Sequence, residues 1–129
     1  MNKHRSSLPL LLGLWLVGCA VPPPSQTGLM DVADRPAEKA LLAGLRAYED
    51  GQYPQSERLL GQALQAGLAS QRDRAAAHKH LAFIMCTSDR AAACEIEFRR
   101  ARASDPAFAL TKSEAGHPQW GPVYQRVQP

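Results

Sequence analysis

The stretch that decides the fold is residues 37–67, with the sequence AEKALLAGLRAYEDGQYPQSERLLGQALQAG. It is rich in good helix formers, and its apolar residues recur three and four positions apart, which is the period of an amphipathic α-helix. We predict one helix over Ala37–Asp50, ended by Gly51, and a second that begins at Pro54 and ends at Gly67. The apolar sides of the two helices are Leu41, Leu42, Leu45 and Tyr48, and then Leu59, Leu60, Ala63 and Leu64.

A second stretch, residues 75–106, has the sequence AAAHKHLAFIMCTSDRAAACEIEFRRARASDP. The same spacing predicts helices over Ala75–Thr87 and Ala91–Ser104, joined by a turn at Ser88–Arg90. β-Branched residues are scarce between positions 36 and 110, which disfavours strands.

The two stretches align with each other, so we predict an all-α domain built from two helical hairpins with about four main helices. The hairpins cover about 37–70 and 75–108, the domain covers 36–129, and Gln71–Arg74 is interpreted as an insertion between the hairpins.

Small, aromatic and turn residues recur at corresponding places in the two hairpins. They are Gly44, Tyr53 and Ala63 in the first, and Leu81, Ala82, Cys94, Phe98, Ala101, Asp105 and Pro106 in the second. This pattern resembles the tetratricopeptide repeat, a helix-turn-helix unit of about 34 residues, although Ala40, Ser56 and His78 depart from it. Two repeats are fewer than a stack usually needs, so we expect another segment to cap them.

The expected cap is the C-terminal segment, residues 109–129. Thr111 and Glu114 have the spacing of a capping box, which predicts a short helical turn ended by Gly116–Pro118. Trp120 and Tyr124 follow four residues apart and are predicted to lie on one face of a last short helix that covers the second hairpin.

The N-terminus has the layout of a secretory signal. Basic residues at positions 3–5 precede an apolar run, Leu8–Val17, and the sequence Leu-Val-Gly-Cys ends at Cys19. The run is short for the roughly 20 residues of a membrane-spanning helix, and a buried core helix is the other alternative. The tetrapeptide resembles the bacterial lipobox, which implies that residues 1–18 are removed and that Cys19 carries a lipid such as palmitate.

The resemblance to lipoproteins also implies a location. Ala20 stands where an aspartate favours retention in the inner membrane, so the outer membrane, on its periplasmic side, is expected. Residues 19–35 include Pro22–Pro24 and are predicted to be a flexible tether. Removal of Lys3 and Arg5 with the signal lowers the formal net charge from +3 to +1, and nucleic-acid binding is not expected.

With Cys19 lipidated, two cysteines remain, Cys86 and Cys94, on either side of the predicted turn. The oxidising periplasm and the expected close crossing of the two helices favour a disulfide between them. The alternative is two reduced, buried thiols; a redox-active pair is disfavoured because the spacing is not Cys-x-x-Cys.

No residue pattern predicts catalysis. His78 and His80 are two apart on a helix, which is unfavourable for a shared metal, and His117 is expected to fix a turn. Carboxylates are scattered, and no nucleophile or phosphate-binding motif is present. We therefore expect no enzyme activity, catalytic residue, metal, cofactor or small-molecule substrate.

Protein binding is the expected activity. The repeat resemblance implies a groove lined by Leu41, Leu45, Tyr48, Glu49, Lys79 and Phe83, and the aromatic tail residues Trp120 and Tyr124 are further candidates for partner contacts. Such a groove suits a peptide or a partner helix. The alternative is that Leu41, Leu45 and Phe83 are core residues.

The lipobox, the proline-rich tether, the cysteine pair and the run AGHPQWGPV at residues 115–123 together resemble the TssQ-like lipoproteins of type VI secretion. The resemblance implies a non-enzymatic accessory component of an envelope-spanning secretion machine, with protein partners in the cell envelope. A pilotin-type or outer-membrane assembly lipoprotein is the alternative, and a periplasmic hydrolase is a disfavoured third.

Overall fold

The structure, a computed structural model, describes residues 28–129, and the regular elements of this part of the chain are all α-helices. The predicted all-α fold with packed helical hairpins is confirmed. The predicted signal peptide, Cys19 and the tether up to residue 27 lie outside the described residues. The helices are α1 (Leu29–Ala33), α2 (Pro36–Glu49), α3 (Tyr53–Ala66), α4 (Gln71–Thr87), α5 (Ala91–Ser104), α6 (Lys112–Ala115) and α7 (Gly121–Arg126). None of these helices has the length and apolar character that a membrane crossing requires.

The first hairpin consists of α2 and α3, and its ends follow from local chemistry. Pro36 is the first residue of α2, where its missing N–H is not needed. Gly51 and Gly67 follow the two helices with φ of 72° and 88°, a left-handed conformation that glycine adopts without strain. Pro54 is the second residue of α3, one position later than predicted.

Helices α2 and α3 cross closely at Gly44. The buried hydroxyl of Ser56 donates a 2.8 Å hydrogen bond to the carbonyl oxygen of Gly44. A Cβ at position 44 would lie 2.9 Å from the Leu60 side chain, so only glycine allows this approach. Ser56, one of the departures from the repeat pattern, therefore joins the two helices.

The second hairpin consists of α4 and α5, and α4 begins four residues earlier than predicted. The Ser70 hydroxyl accepts a 3.2 Å hydrogen bond from the backbone N–H of Asp73, which caps the helix. Gln71–Arg74 is thus the first turn of α4, and the interpretation of these residues as an insertion was wrong. α5 has the predicted bounds, Ala91–Ser104.

The C-terminal segment folds onto the second hairpin. Thr111 and Glu114 form the predicted capping box at the start of α6. The Trp120 indole donates a 2.8 Å hydrogen bond to the Glu114 carbonyl, and the Tyr124 hydroxyl accepts one from the Leu110 N–H. α7 then packs against α5, so the segment caps the stack.

The buried residues form two hydrophobic clusters. One joins α4 and α5 to the C-terminal segment, around Phe98, and the other joins α2, α3 and α4, around Leu60. Tyr48 and Met85 are partly buried and pack against both clusters. Leu42, which the periodicity assigned to the apolar side of α2, is 52% exposed instead.

Candidate partner-binding groove

The side of α2 and α4 that the repeat resemblance implied as a groove is only partly open. Trp120 is 9% exposed, and its ring stacks on Phe83, with ring centroids 4.2 Å apart and planes at 22°. Tyr124 is also buried, with its ring 5.4 Å from that of Phe98. Phe83, Trp120 and Tyr124 are therefore core residues and do not line an accessible surface, because the C-terminal segment lies on this part of α4.

Lys79 is engaged by the same segment. Its Nζ lies 2.7 Å from Oε1 of Glu114 and 5.7 Å from the centroid of the Phe83 ring. Burial opposes ionisation of Glu114, but hydrogen bonds from Lys79 and Thr111 outweigh it and lower the pKa of this carboxyl. Lys79 thus fastens the C-terminal segment to α4, and its charge is already paired.

The three remaining predicted residues, Leu45, Tyr48 and Glu49, lie together on α2. Tyr48 is half-buried, and its ring lies 5.5 Å from Tyr53 and 5.0 Å from His80. Glu49 is exposed. Burial raises the pKa of Tyr48 and lowers the pKa of His80, so both side chains are neutral near pH 7. This end of α2 presents aromatic faces beside a carboxylate.

A cavity of about 220 Å³ lies at the other end of α2, between α1, α2 and the beginning of α4. We use the name open groove for this cavity together with the neighbouring end of α2, where Tyr48 and Glu49 follow the cavity residue Leu45. The cavity is lined by Leu29, Val32, Glu38, Leu41, Leu42, Leu45 and Asp73. Leu29 and Leu42 are 84% and 52% exposed, respectively. Sequence reasoning missed the contribution of α1, because five residues inside a predicted tether carry too weak a periodic signal.

Two further depressions lie elsewhere on the surface, and the smaller one includes the predicted residue Lys79. One of about 400 Å³ is bordered by Arg99, Arg102 and Val127, and one of about 210 Å³ by Arg72, Lys79 and Phe108, among others. Arg102 donates a hydrogen bond to the Val127 carbonyl, which ties the end of α7 to α5. The larger depression is formed where these elements meet, and none of the predicted partner-binding residues borders it.

The two cysteines of the described residues, Cys86 and Cys94, lie where the sequence predicted, at opposite sides of the α4–α5 turn. Their sulfur atoms are 2.07 Å apart and their Cα atoms 5.2 Å apart, which is a disulfide distance. Cys94 is fully buried and Cys86 is 9% exposed, so the pair is part of the core below the turn.

A largely buried hydrogen-bonded pair that the sequence did not reveal, His78 and Glu97, connects α4 and α5. Nδ1 of His78 and Oε2 of Glu97 are 2.6 Å apart, and Nη1 of Arg100 donates to Oε1 of Glu97 at 2.6 Å. The sequence marked His78 only as a departure from the repeat pattern and as an unfavourable metal ligand, because its partner is 19 residues away. Because Glu97 is only 4% exposed, the two partners are needed to stabilise its charge.

The other histidines have local roles. His80 forms a 2.7 Å hydrogen bond through Nδ1 with the Ala76 carbonyl, and Nδ1 of His117 accepts from the Gln119 N–H at 3.2 Å. The His117 ring also stacks on Trp120, with centroids 3.4 Å apart. Among residues 28–129, no three His, Cys, Asp or Glu side chains are grouped as a metal site requires.

The chain was compared with protein-family models, with curated proteins and with solved structures. It matches none of them significantly. The relationship to tetratricopeptide proteins and to secretion lipoproteins therefore stays a prediction from the sequence, and the open groove is the geometric starting point for a function.

Proposed function

We propose that this chain is a non-enzymatic, lipid-anchored adaptor that docks another protein of the cell envelope in the open groove. The observation that supports it best is the apolar cavity of about 220 Å³ beside α1 and α2, with Leu29 and Leu42 largely exposed at its border. Exposed large apolar side chains grouped around a cavity favour a protein contact, because burying them in an interface removes apolar surface from water.

The proposed location rests on the sequence around Cys19. Acylation there anchors the chain to the outer membrane, with the helical domain in the periplasm, and several acyl chains make such an anchor effectively permanent. Metabolic labelling with palmitate and membrane fractionation test this point. The wild type should incorporate label and sediment with outer membranes, and Cys19→Ser should do neither. Labelling of Cys19→Ser, or unlabelled wild type, would contradict the anchor.

The proposed context is type VI secretion, which the run at residues 115–123 and the overall arrangement of the chain support by resemblance. The alternative is a pilotin-type or outer-membrane assembly lipoprotein, which has the same kind of anchor and a different client. Gene neighbourhood discriminates between them: genes for a secretion sheath and its membrane complex support the first, and secretin or pilus genes the second.

Cross-linking in cells tests the adaptor role. In one variant a photoreactive amino acid replaces Leu42 in the open groove, and in a second it replaces Ile96 on α5. Ile96 is a matched control because it is also apolar and is 49% exposed, against 52% for Leu42. We expect a cross-linked envelope protein from position 42 and none from position 96. Equal cross-linking at both positions, or none at position 42, would contradict docking in the groove, and recovery of secretin subunits alone would favour the alternative.

A further inference from the structure

The open groove has a charge pattern of its own along α2. Glu38, Leu42, Leu45 and Glu49 follow one another at spacings of four, three and four residues, which places them on one stripe of the helix. We call these four residues the α2 stripe. Two leucines lie between a buried carboxylate, Glu38, and an exposed one, Glu49. The length from first to last residue is about 16 Å at 1.5 Å per residue.

Glu38 lies at the cavity end of the stripe in an unusual environment. It is 6% exposed, it lines the apolar cavity, and its carboxylate accepts one hydrogen bond, from the Ala69 N–H at 3.4 Å. A buried carboxylate without a charged partner is unfavourable. Asp73 on α4 lines the same cavity and adds a second acidic group there.

The carboxylates of the groove have no basic partner in the part of the chain that the structure describes. No Lys, Arg or His nitrogen of those residues lies within 4.0 Å of Glu38, Glu49 or Asp73. Two of the nearby cations are already engaged: Lys39 pairs with an aspartate at 3.3 Å, and Lys79 pairs with Glu114. Each end of the groove therefore carries a carboxylate that no basic side chain of the described residues contacts.

The aromatic end suits a cation in a second way. Glu49 follows Tyr48 on α2, the Tyr48 ring lies 5.5 Å from the Tyr53 ring, and Tyr53 is 45% exposed. Lysine and arginine side chains are attracted to aromatic faces, and the C-terminal end of α2 adds a partial negative charge.

We propose that the open groove binds an amphipathic helix of another protein that carries a pair of apolar residues bracketed by lysine or arginine. The apolar pair packs on Leu42 and Leu45, one basic residue approaches Glu38, and the other lies against Glu49 and the tyrosines. This deepens the proposed adaptor function and rests on it.

Charge excludes the competing occupants. A second copy of this chain, docked through the same stripe, would place carboxylates against carboxylates. Bacterial phospholipid surfaces are anionic and are repelled by the same residues. Residues 19–27 of this chain, CAVPPPSQT, contain no lysine or arginine and lack the complementary charge.

Binding of synthetic helical peptides to the full-length protein tests the inference, with fluorescence anisotropy as the readout. The probe carries the stripe Lys-x-x-x-Leu-x-x-Leu-x-x-x-Lys, and the control peptide has Glu in place of both Lys. We expect the Lys peptide to bind at least about tenfold more tightly, and more weakly as salt is added. Equal binding of the two peptides, or binding of neither, would overturn the inference.

Protein variants locate the binding site. Leu42→Asp should weaken binding by at least about tenfold, because it places a charge where apolar surface is buried. Glu49→Gln should weaken it by about two- to fivefold, as expected for one partly exposed ion pair. Glu95→Gln, which removes a carboxylate on α5, should leave it unchanged. Loss of binding in Glu95→Gln equal to that in Glu49→Gln would show a non-specific charge effect and overturn the site.

Two further results separate this inference from the adaptor function. If the peptides fail but position 42 still cross-links an envelope protein, the adaptor role stands and the basic-helix partner is wrong. The last experiment measures binding of the Cys19→Ser chain to vesicles of phosphatidylethanolamine and phosphatidylglycerol. If this chain bound the vesicles and the added substitution Leu42→Asp abolished the binding, the groove would be a lipid site and the inference would be overturned.

Discussion

Replacement of Trp120 by alanine tests the finding that the C-terminal segment is part of the core. Trp120 is 9% exposed, stacks on Phe83 and donates a hydrogen bond to the Glu114 carbonyl. Truncation of a buried aromatic side chain costs about 3–5 kcal/mol, from lost apolar burial and the cavity that remains. Because small domains have unfolding free energies of about 5–15 kcal/mol, this single change should remove about a fifth or more of the stability.

Urea unfolding followed by far-UV circular dichroism measures the effect. The free energy of unfolding should fall at an unchanged m-value, with a midpoint lower by about 2–3 M. Tyr53→Ala is the control, since Tyr53 is an aromatic residue that is 45% exposed, and its loss should cost less than about 1 kcal/mol. If Trp120→Ala cost no more than Tyr53→Ala, the segment would not be part of the cooperative core.

A double-mutant cycle isolates the stacking contact between Trp120 and Phe83. The unfolding free energies of Trp120→Ala, Phe83→Ala and the double variant should reveal a coupling of about 0.5–1.5 kcal/mol beyond additivity. Additive effects would show that the two rings do not interact.

Three further predictions concern the hairpins. Gly44→Ala should lower the free energy of unfolding by about 1–2 kcal/mol despite its better helix propensity, because the new Cβ would lie 2.9 Å from Leu60. The control Gly61→Ala should raise the free energy of unfolding, because a Cβ there has nothing within 4 Å. If urea unfolding gave changes of the same sign for both variants, the close crossing at Gly44 would be refuted. Reduction of the disulfide should lower the free energy of unfolding by about 2–3 kcal/mol, as expected for a short loop. An unchanged unfolding midpoint after reduction would contradict a stabilising disulfide. Burial lowers the pKa of His80, so the folded state disfavours protonation of this side chain. The contribution of neutral His80 to stability is therefore fully present above the ordinary histidine pKa of 6.5 and is lost as the pH falls through the lowered value. In thermal unfolding between about pH 7 and 5, the midpoint of His80→Gln should depend less on pH than that of the wild type.

The four main helices were predictable because composition, apolar period and end signals agree at each of them. Gly51 and Gly67 mark helix ends by backbone conformation alone, which is a local property of the sequence. The start of α4 was missed because the alignment of the two hairpins outweighed the local capping signal of Ser70. Local chemistry was the better guide there.

The candidate site was less predictable because it depends on contacts that are distant in sequence. The repeat resemblance placed Lys79 and Phe83 on an open groove, but residues 35 and 37 positions later, Glu114 and Trp120, cover them. Trp120 had been assigned both to the cap and to partner contacts, and only its burial separates these roles. The absence of a basic contact at the groove carboxylates of the described residues likewise depended on where the basic side chains lie in the fold.

Tyr48 and Met85 couple the unfolding of the two hairpins, although the fold divides into two separate helical pairs. Because both side chains pack against both hydrophobic clusters, the loss of one cluster removes contacts from the other, and the hairpins are expected to unfold together. Tyr48 also lies at the edge of the open groove. A ligand that immobilises it would therefore slow amide hydrogen exchange in the second hairpin and the C-terminal segment, far from any residue that the ligand touches.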